Sequence, residues 1–162
     1  HHHPGDRQLQ AGDIVIVDLG AQVDGYKSDL TRSFYLGETA GDAFWGLYNT
    51  VSAAHQAAVA GIRPGVTGKA VDALARDLIT AAGHGDHFGH GTGHGVGLEI
   101  HEEPRFSRLA EGTVIPAGAV MTVEPGIYLP GYGGVRIEDL LLVTADGAEY
   151  LSAAPQTPLI AI

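Results

Sequence analysis

Three histidines fall between His90 and His101, with His94 four positions after the first and seven before the last. Neutral imidazole is a common ligand for Zn, Mn, Fe and Co. Glycines at positions 91, 93, 95 and 97 frame the first two histidines. They allow the backbone to take φ > 0 and to come close to a bound group. Four acids stand in or at the end of apolar runs: Asp18, Asp29, Glu124 and Glu138. A carboxylate in such a run is costly unless it is paired, hydrogen-bonded or bound to a metal. Neighbouring carboxylates repel each other, and a divalent cation is the usual remedy. The competing readings are a flexible glycine loop with surface histidines, and acids relieved by nearby cations: Lys27 or Arg32 for Asp18 and Asp29, Arg136 for Glu138. They account for the acids one at a time, whereas a metal centre accounts for all four.

The elements that must position these groups are legible from periodicity. Asp13 to Gly20 is β-branched and apolar between two glycines and reads as a buried strand carrying Asp18. Asp24-Gly25 is a hairpin-turn signal, and Tyr26 to Leu36 is the returning strand. A two-residue turn there sets Val23 against Tyr26 and Asp18 against Thr31, with Asp29 diagonal to Asp18 on the same face. A turn shifted by half a step sets Asp18 directly opposite Asp29. Asp42 to Ala60 has helical spacing through Phe44, Leu47, Tyr48, Val51, Ala54 and Ala58, with Gly61 as its end. Thr67 is the expected N-cap of a second helix over 68–82. Both helices read as scaffold. Leu98 to His101 alternates and reads as a short strand that fixes His101, stopped by Pro104. Ala119 to Glu124 is a strand whose last residue faces an opening, because Pro125 cannot continue the ladder. Gly134 to Thr144 is a last strand, with Arg136 and Glu138 on one face.

Composition bounds the answer. The 162 residues are about one domain's worth, with 44% hydrophobic and 17% charged residues, as in a chain that buries a core. A formal net charge of −10 argues against nucleic acid and anionic membrane surfaces as partners. Without cysteine there are no disulfides and no thiolate ligands, which is compatible with a cytoplasmic location. No apolar run has the ~18 residues of a transmembrane helix. Neither His-Glu-x-x-His nor Gly-x-Ser-x-Gly occurs, and the glycines of 91–97 lack the strand and helix that flank a dinucleotide loop. His1, His2 and His3 read as native rather than as a tag remnant, because Pro4-Gly5-Asp6-Arg7 runs straight into a strand-like segment.

Five stretches in order resemble the pita-bread metallopeptidases, a family that includes prolidases, aminopeptidase P and methionine aminopeptidases. They are Val17-Asp-Leu-Gly20, Gly25-Tyr-Lys-Ser-Asp-Leu-Thr-Arg32, Gly89-His-Gly-Thr-Gly-His-Gly-Val-Gly-Leu-Glu-Ile-His-Glu102, Thr122-Val-Glu-Pro-Gly-Ile-Tyr128 and Val135-Arg-Ile-Glu-Asp139. The resemblance implies an α+β pita-bread fold, an antiparallel curved sheet covered by helices. It implies two divalent ions (Mn, Co or Zn) held by Asp18, Asp29, His94, Glu124 and Glu138, with Asp29 and Glu138 bridging. Glu124 would also shuttle a proton, and His101 would stabilise the oxyanion. His90 and Arg136 would line the proline side of the cleft, and His1 falls where the family has another substrate histidine. Asp-Leu-Thr-Arg, Glu-Pro-Gly-Ile-Tyr and Arg-Ile-Glu-Asp resemble the proline-specific branch.

The resemblance therefore implies hydrolysis of Xaa-Pro dipeptides by a homodimer. The alternatives are an aminopeptidase P acting on Xaa-Pro-Yaa peptides, a metal-free hydrolase like creatinase, and a non-catalytic binding module on the same fold. The complete ligand set speaks against the last two. Residues 1–162 are expected to be the C-terminal part of a catalytic domain that is incomplete on its N-terminal side. The segment that precedes this part in the family is expected to be needed for folding.

Overall fold

A computed structural model describes residues 5–162. The His1 expectation lies outside the described residues. The first ribbon pairs β1 (Ile14–Leu19) with β4 (Leu30–Leu36) antiparallel, and between them sits a small hairpin of β2 (Gln22–Val23) and β3 (Tyr26–Lys27). Asp24 (φ 51°) and Gly25 (φ 90°) form its turn, the left-handed pair that matches strand twist. Val23 faces Tyr26 and Asp18 faces Thr31, so the first of the two registers holds along the whole ribbon. Ser28 and Asp29 interrupt the expected long strand without shifting it. The strand β12 (Leu159–Ile160) adds to β4 in parallel, which leaves β1 at the edge of its sheet among the described residues. This corrects the expectation of a buried strand: Val17 is 38% and Leu19 55% exposed.

The helices fall where the periodicity puts them. Helix α1 (Asp42–Gly61) buries Phe44, Leu47, Val51, Ala54 and Ala58, and it runs through Gly61 rather than being capped by it. Helix α2 (Gly68–Ala81) starts with the Thr67 side chain accepting from the Ala70 N–H, and it buries Val71, Ala75 and Ile79. They pack on a core that includes Phe106, Met121, Ile127, Val135 and Leu141.

The second sheet is antiparallel and five-stranded. It comprises β5 (Gly93–Gly95), β6 (Glu102–Phe106), β7 (Val120–Val123), β10 (Asp139–Val143) and β11 (Ala148–Tyr150), in the spatial order β11-β10-β7-β5-β6. A further hairpin joins β8 (Gly126–Leu129) to β9 (Gly133–Arg136). Three sequence expectations change here. His94, not His101, is held by the sheet, because Leu98 to His101 forms bends. Pro104 lies inside β6, which is tolerated because β6 is an edge strand. The expected last strand splits into β9 and β10 in different sheets, with Ile137 and Glu138 at the step.

The glycines around His94 serve contact rather than positive φ; none of 91, 93, 95 or 97 has φ in the left-handed region. A Cβ on Gly93 would stand 2.0 Å from the Thr122 carbonyl oxygen of β7. Gly93→Ala is therefore expected to force β5 and β7 apart and to cost about 1–3 kcal/mol by overpacking. Urea denaturation of the full-length protein measures this, and an unchanged midpoint would refute it.

Candidate metal centre

The two sheets meet at one seam, where Thr31 of β4 bridges to Glu138. The Glu138 N–H donates to the Thr31 carbonyl at 3.1 Å, and the Thr31 hydroxyl donates to Glu138 Oε2 at 2.6 Å. Around this seam lies a cleft of about 1000 Å³ lined by Asp18, Asp29, His90, His94, His101, Glu124, Arg136 and Glu138. Every site residue named from the sequence, His1 apart, thus comes to one place. The ribbon brings Asp18 and Asp29, and the five-stranded sheet brings His94 and Glu124. Asp18 is not the buried acid expected; its side chain is 41% exposed.

The ligand atoms form overlapping groups. One comprises His94, Glu124 and Glu138, another Asp18, Asp29 and Glu138, and a third Asp29, His94 and His101; within each, one atom per residue lies within 4.8 Å of the others. His94 Nδ1 stands 3.0 Å from the Gly95 carbonyl. A carbonyl only accepts, so Nδ1 carries a hydrogen, and Nε2 faces Glu124 Oε1 (3.2 Å) and Asp29 Oδ2 (3.8 Å), the edge that a cation would take on loss of its proton. Four carboxylates and one oriented imidazole are a donor set that suits Mn, Co, Fe or Zn.

The electrostatics fit a cation too. Burial, then the charges of Asp18 and Glu124, pushes Asp29 up to about 6. Burial, then the charges of Glu124, Asp29 and Asp18, pushes Glu138 up to about 8. Burial alone would also raise Glu124, but its contact with His94 holds it below the usual carboxylate range. Burial and the His94 charge hold His101 below the usual imidazole range.

Beside the ligands runs a polar relay. Arg136 donates to Asp18 Oδ2 (2.5 Å) and to the Tyr128 hydroxyl (2.9 Å), and Tyr128 lies 2.8 Å from His90 Nε2. His90 Nδ1 faces the Gly91 carbonyl at 2.8 Å and carries a hydrogen, which leaves Nε2 to accept a hydrogen bond from the Tyr128 hydroxyl. Burial raises the Tyr128 hydroxyl and keeps it protonated. Of the cations offered as alternative partners for the acids, Lys27 pairs with Glu99 and Arg32 with Asp139, while Arg136 pairs with Asp18 rather than with Glu138.

Sequence reasoning missed three lining or supporting residues. Tyr128 was within reach, two and four positions after Gly126 and Glu124 on an extended segment, but Pro125 hid the strand. Thr31 was already opposite Asp18 in the register arithmetic. Arg105 lines the cleft as the cross-strand partner of His94, a pairing with no local signal.

Residues 1–145 match the profile of metallopeptidase family M24. The chain belongs to that family. A curated M24 relative, the Xaa-Pro dipeptidase of Pyrococcus furiosus, is 46% identical over 152 residues, which cover 94% of this chain and 43% of the relative. The solved prolidase of Pyrococcus horikoshii superposes with a TM-score of 0.91 at 43% identity, over 95% of this chain and 44% of that one. The X-Pro aminopeptidase of Thermotoga maritima gives 0.91 at 37% identity, over 98% and 44%. The pita-bread α+β fold implied by the motifs holds, and the chain spans less than half the length of these M24 relatives. No helix of the described residues is long and apolar enough to cross a membrane.

Proposed function

We propose that the protein containing this chain is a two-metal peptidase that hydrolyses the Xaa-Pro bond, chiefly in Xaa-Pro dipeptides. The supporting observation is that Glu138 is shared by two ligand groups, one with His94 and Glu124 and one with Asp18 and Asp29. A shared carboxylate is what a pair of ions needs. The names of the relatives, Xaa-Pro dipeptidase and prolidase, favour the proline bond. On this reading residues 1–162 are the C-terminal part of a catalytic domain, and the parent protein is a cytoplasmic homodimer that uses Mn, Co or Zn. Aminopeptidase P is the second reading, because the Thermotoga X-Pro aminopeptidase superposes equally well.

Divalent cations would be held by Asp18, Asp29, His94, Glu124 and Glu138, and when bound would supply Lewis-acid polarisation of the scissile carbonyl and a nucleophile at neutral pH. The chain's own groups do the rest. Glu124 takes the proton of the attacking water and hands it to the proline nitrogen as the C–N bond breaks. His101, neutral at pH 7, donates to the oxygen that gains charge. His90, fixed by Gly91 and Tyr128, and Arg136 wall the proline side of the cleft.

The test uses the full-length protein loaded with Mn²⁺. Release of the N-terminal residue is followed from an Xaa-Pro dipeptide and an Xaa-Pro-Yaa tripeptide, with and without chelator. Dipeptide cleavage lost on chelation is the expected result. Preference for the tripeptide selects aminopeptidase P, and no cleavage with metal bound selects a binding module.

A further inference from the structure

Helix α2 reads from sequence as scaffold, yet it sends a buried ion pair under the cleft. Asp72, 1% exposed, accepts from Arg76 at both oxygens (Nε 2.7 Å, Nη2 2.9 Å). Its Oδ1 also accepts from the Thr92 N–H (3.1 Å) and hydroxyl (2.9 Å). Arg76 continues past Asp72, donating to the carbonyls of Phe88 (3.0 Å) and His90 (2.7 Å), with its guanidinium 4.2 Å from the centre of the Phe88 ring. The Phe88 ring in turn meets the His90 ring edge-on at 5.0 Å. On the far side, the Thr92 carbonyl accepts from the Glu124 N–H at 2.7 Å.

We infer that Asp72 and Arg76 are positioning residues that set His90 and Glu124 from outside the cleft. The inference rests on the peptidase reading above. Arg76 holds the His90 backbone and the ring that His90 leans on. Asp72 holds Thr92, and Thr92 holds the backbone of Glu124. A forked guanidinium is required, because an ammonium cannot bind a carboxylate at two points and two diverging carbonyls at once. Neither residue lines the cleft.

Arg76→Lys in the full-length protein tests this, since it keeps the charge beside buried Asp72 and loses the fork. The expected result is unchanged Mn²⁺ stoichiometry by calorimetry and a kcat lowered about 10- to 100-fold per folded molecule, the usual effect of groups that orient a metal site's residues. The second readout needs no turnover: the His90 Nδ1–H signal in the ¹⁵N-histidine spectrum of zinc-loaded protein is expected to broaden or vanish. A wild-type kcat with an intact His90 signal, whatever the melting temperature, would overturn the inference. Should the variant not fold, Thr92→Val keeps the ion pair and removes one donor to Asp72, with the same readouts and the same outcome expected. If the wild-type protein cleaves no Xaa-Pro peptide, the peptidase reading fails. The His90 signal then decides alone, its persistence in the variant overturning the positioning role.

Discussion

Glu138→Gln in the full-length protein will abolish most activity and, with metal removed, stabilise the fold. Glu138 belongs to two of the three ligand groups at the seam, so its loss disturbs both proposed ions. Metal polarisation is worth several kcal/mol of transition-state stabilisation, and about 3–4 kcal/mol is roughly 10²–10³-fold in rate. The opposite effect on stability follows from linkage. The Glu138 carboxyl, 4.5 in its ordinary state, is pushed up to about 8 by burial and by Glu124, Asp29 and Asp18. Its folded value exceeds its unfolded one, so the metal-free fold holds a proton that the unfolded chain has lost, and stability falls as pH rises through about 5 to 8. The penalty at pH 7 is about 3 kcal/mol. Asp29, raised to about 6, acts with the same sign over the lower part of that window. His94 does too. Burial would lower its pKa, but contacts with Glu124, the Gly95 carbonyl and Asp29 raise it, and that stability is lost as pH rises. Melting of chelated protein between pH 5 and 8 is therefore expected to drop steeply for wild type and less for Glu138→Gln. Equal slopes would remove Glu138 from the account.

Asp139→Ala is the substitution expected to damage the fold most. Asp139 is buried next to Glu138 and accepts from Arg32 Nη2 at 2.6 Å, while His55 Nε2 lies 3.2 Å from its other oxygen. Arg32 also donates to the carbonyls of Thr31 (2.9 Å) and Glu138 (2.6 Å), one on each side of the seam. Removing one partner strands a buried guanidinium, which costs about 3–5 kcal/mol. Replacing both, as Arg32→Met with Asp139→Leu, removes the stranded charge and is expected to recover much of that loss. Denaturant midpoints of Arg32→Met, Asp139→Leu and the double provide the cycle. A double variant no better than Asp139→Ala would show that the cost lies elsewhere.

The site was legible because its residues sit in local patterns. Acids inside apolar runs and histidines framed by glycine stand out in one dimension, and counting from the Asp24-Gly25 turn narrowed the ribbon's register to two. What failed was local evidence for long-range packing. The glycines around His94 read as a pliable loop, whereas Gly93 and Gly95 lie in a strand where an added Cβ would meet the backbone of β7 and of β6. Four alternating residues from Leu98 to His101 were too few to separate a strand from a run of bends. Strands β8, β11 and β12 are two to four residues long and leave no periodicity. The pairings of Arg32 with Asp139 and of Arg76 with the Phe88–Thr92 segment depend on which elements meet, so they are invisible until the sheets are assembled.

The seam also has a kinetic meaning. The ligand groups hang from two sheets, and Asp18 and Glu138 lie near opposite ends of the chain. A set so distant in sequence exists only after both sheets have closed over the helices, since such loops must be ordered before their contacts form. Contacts completed after the folding barrier act on escape from the native state rather than on its formation. If the seam closes after that barrier, a cation there is expected to slow the unfolding of the full-length protein and to leave its folding rate unchanged.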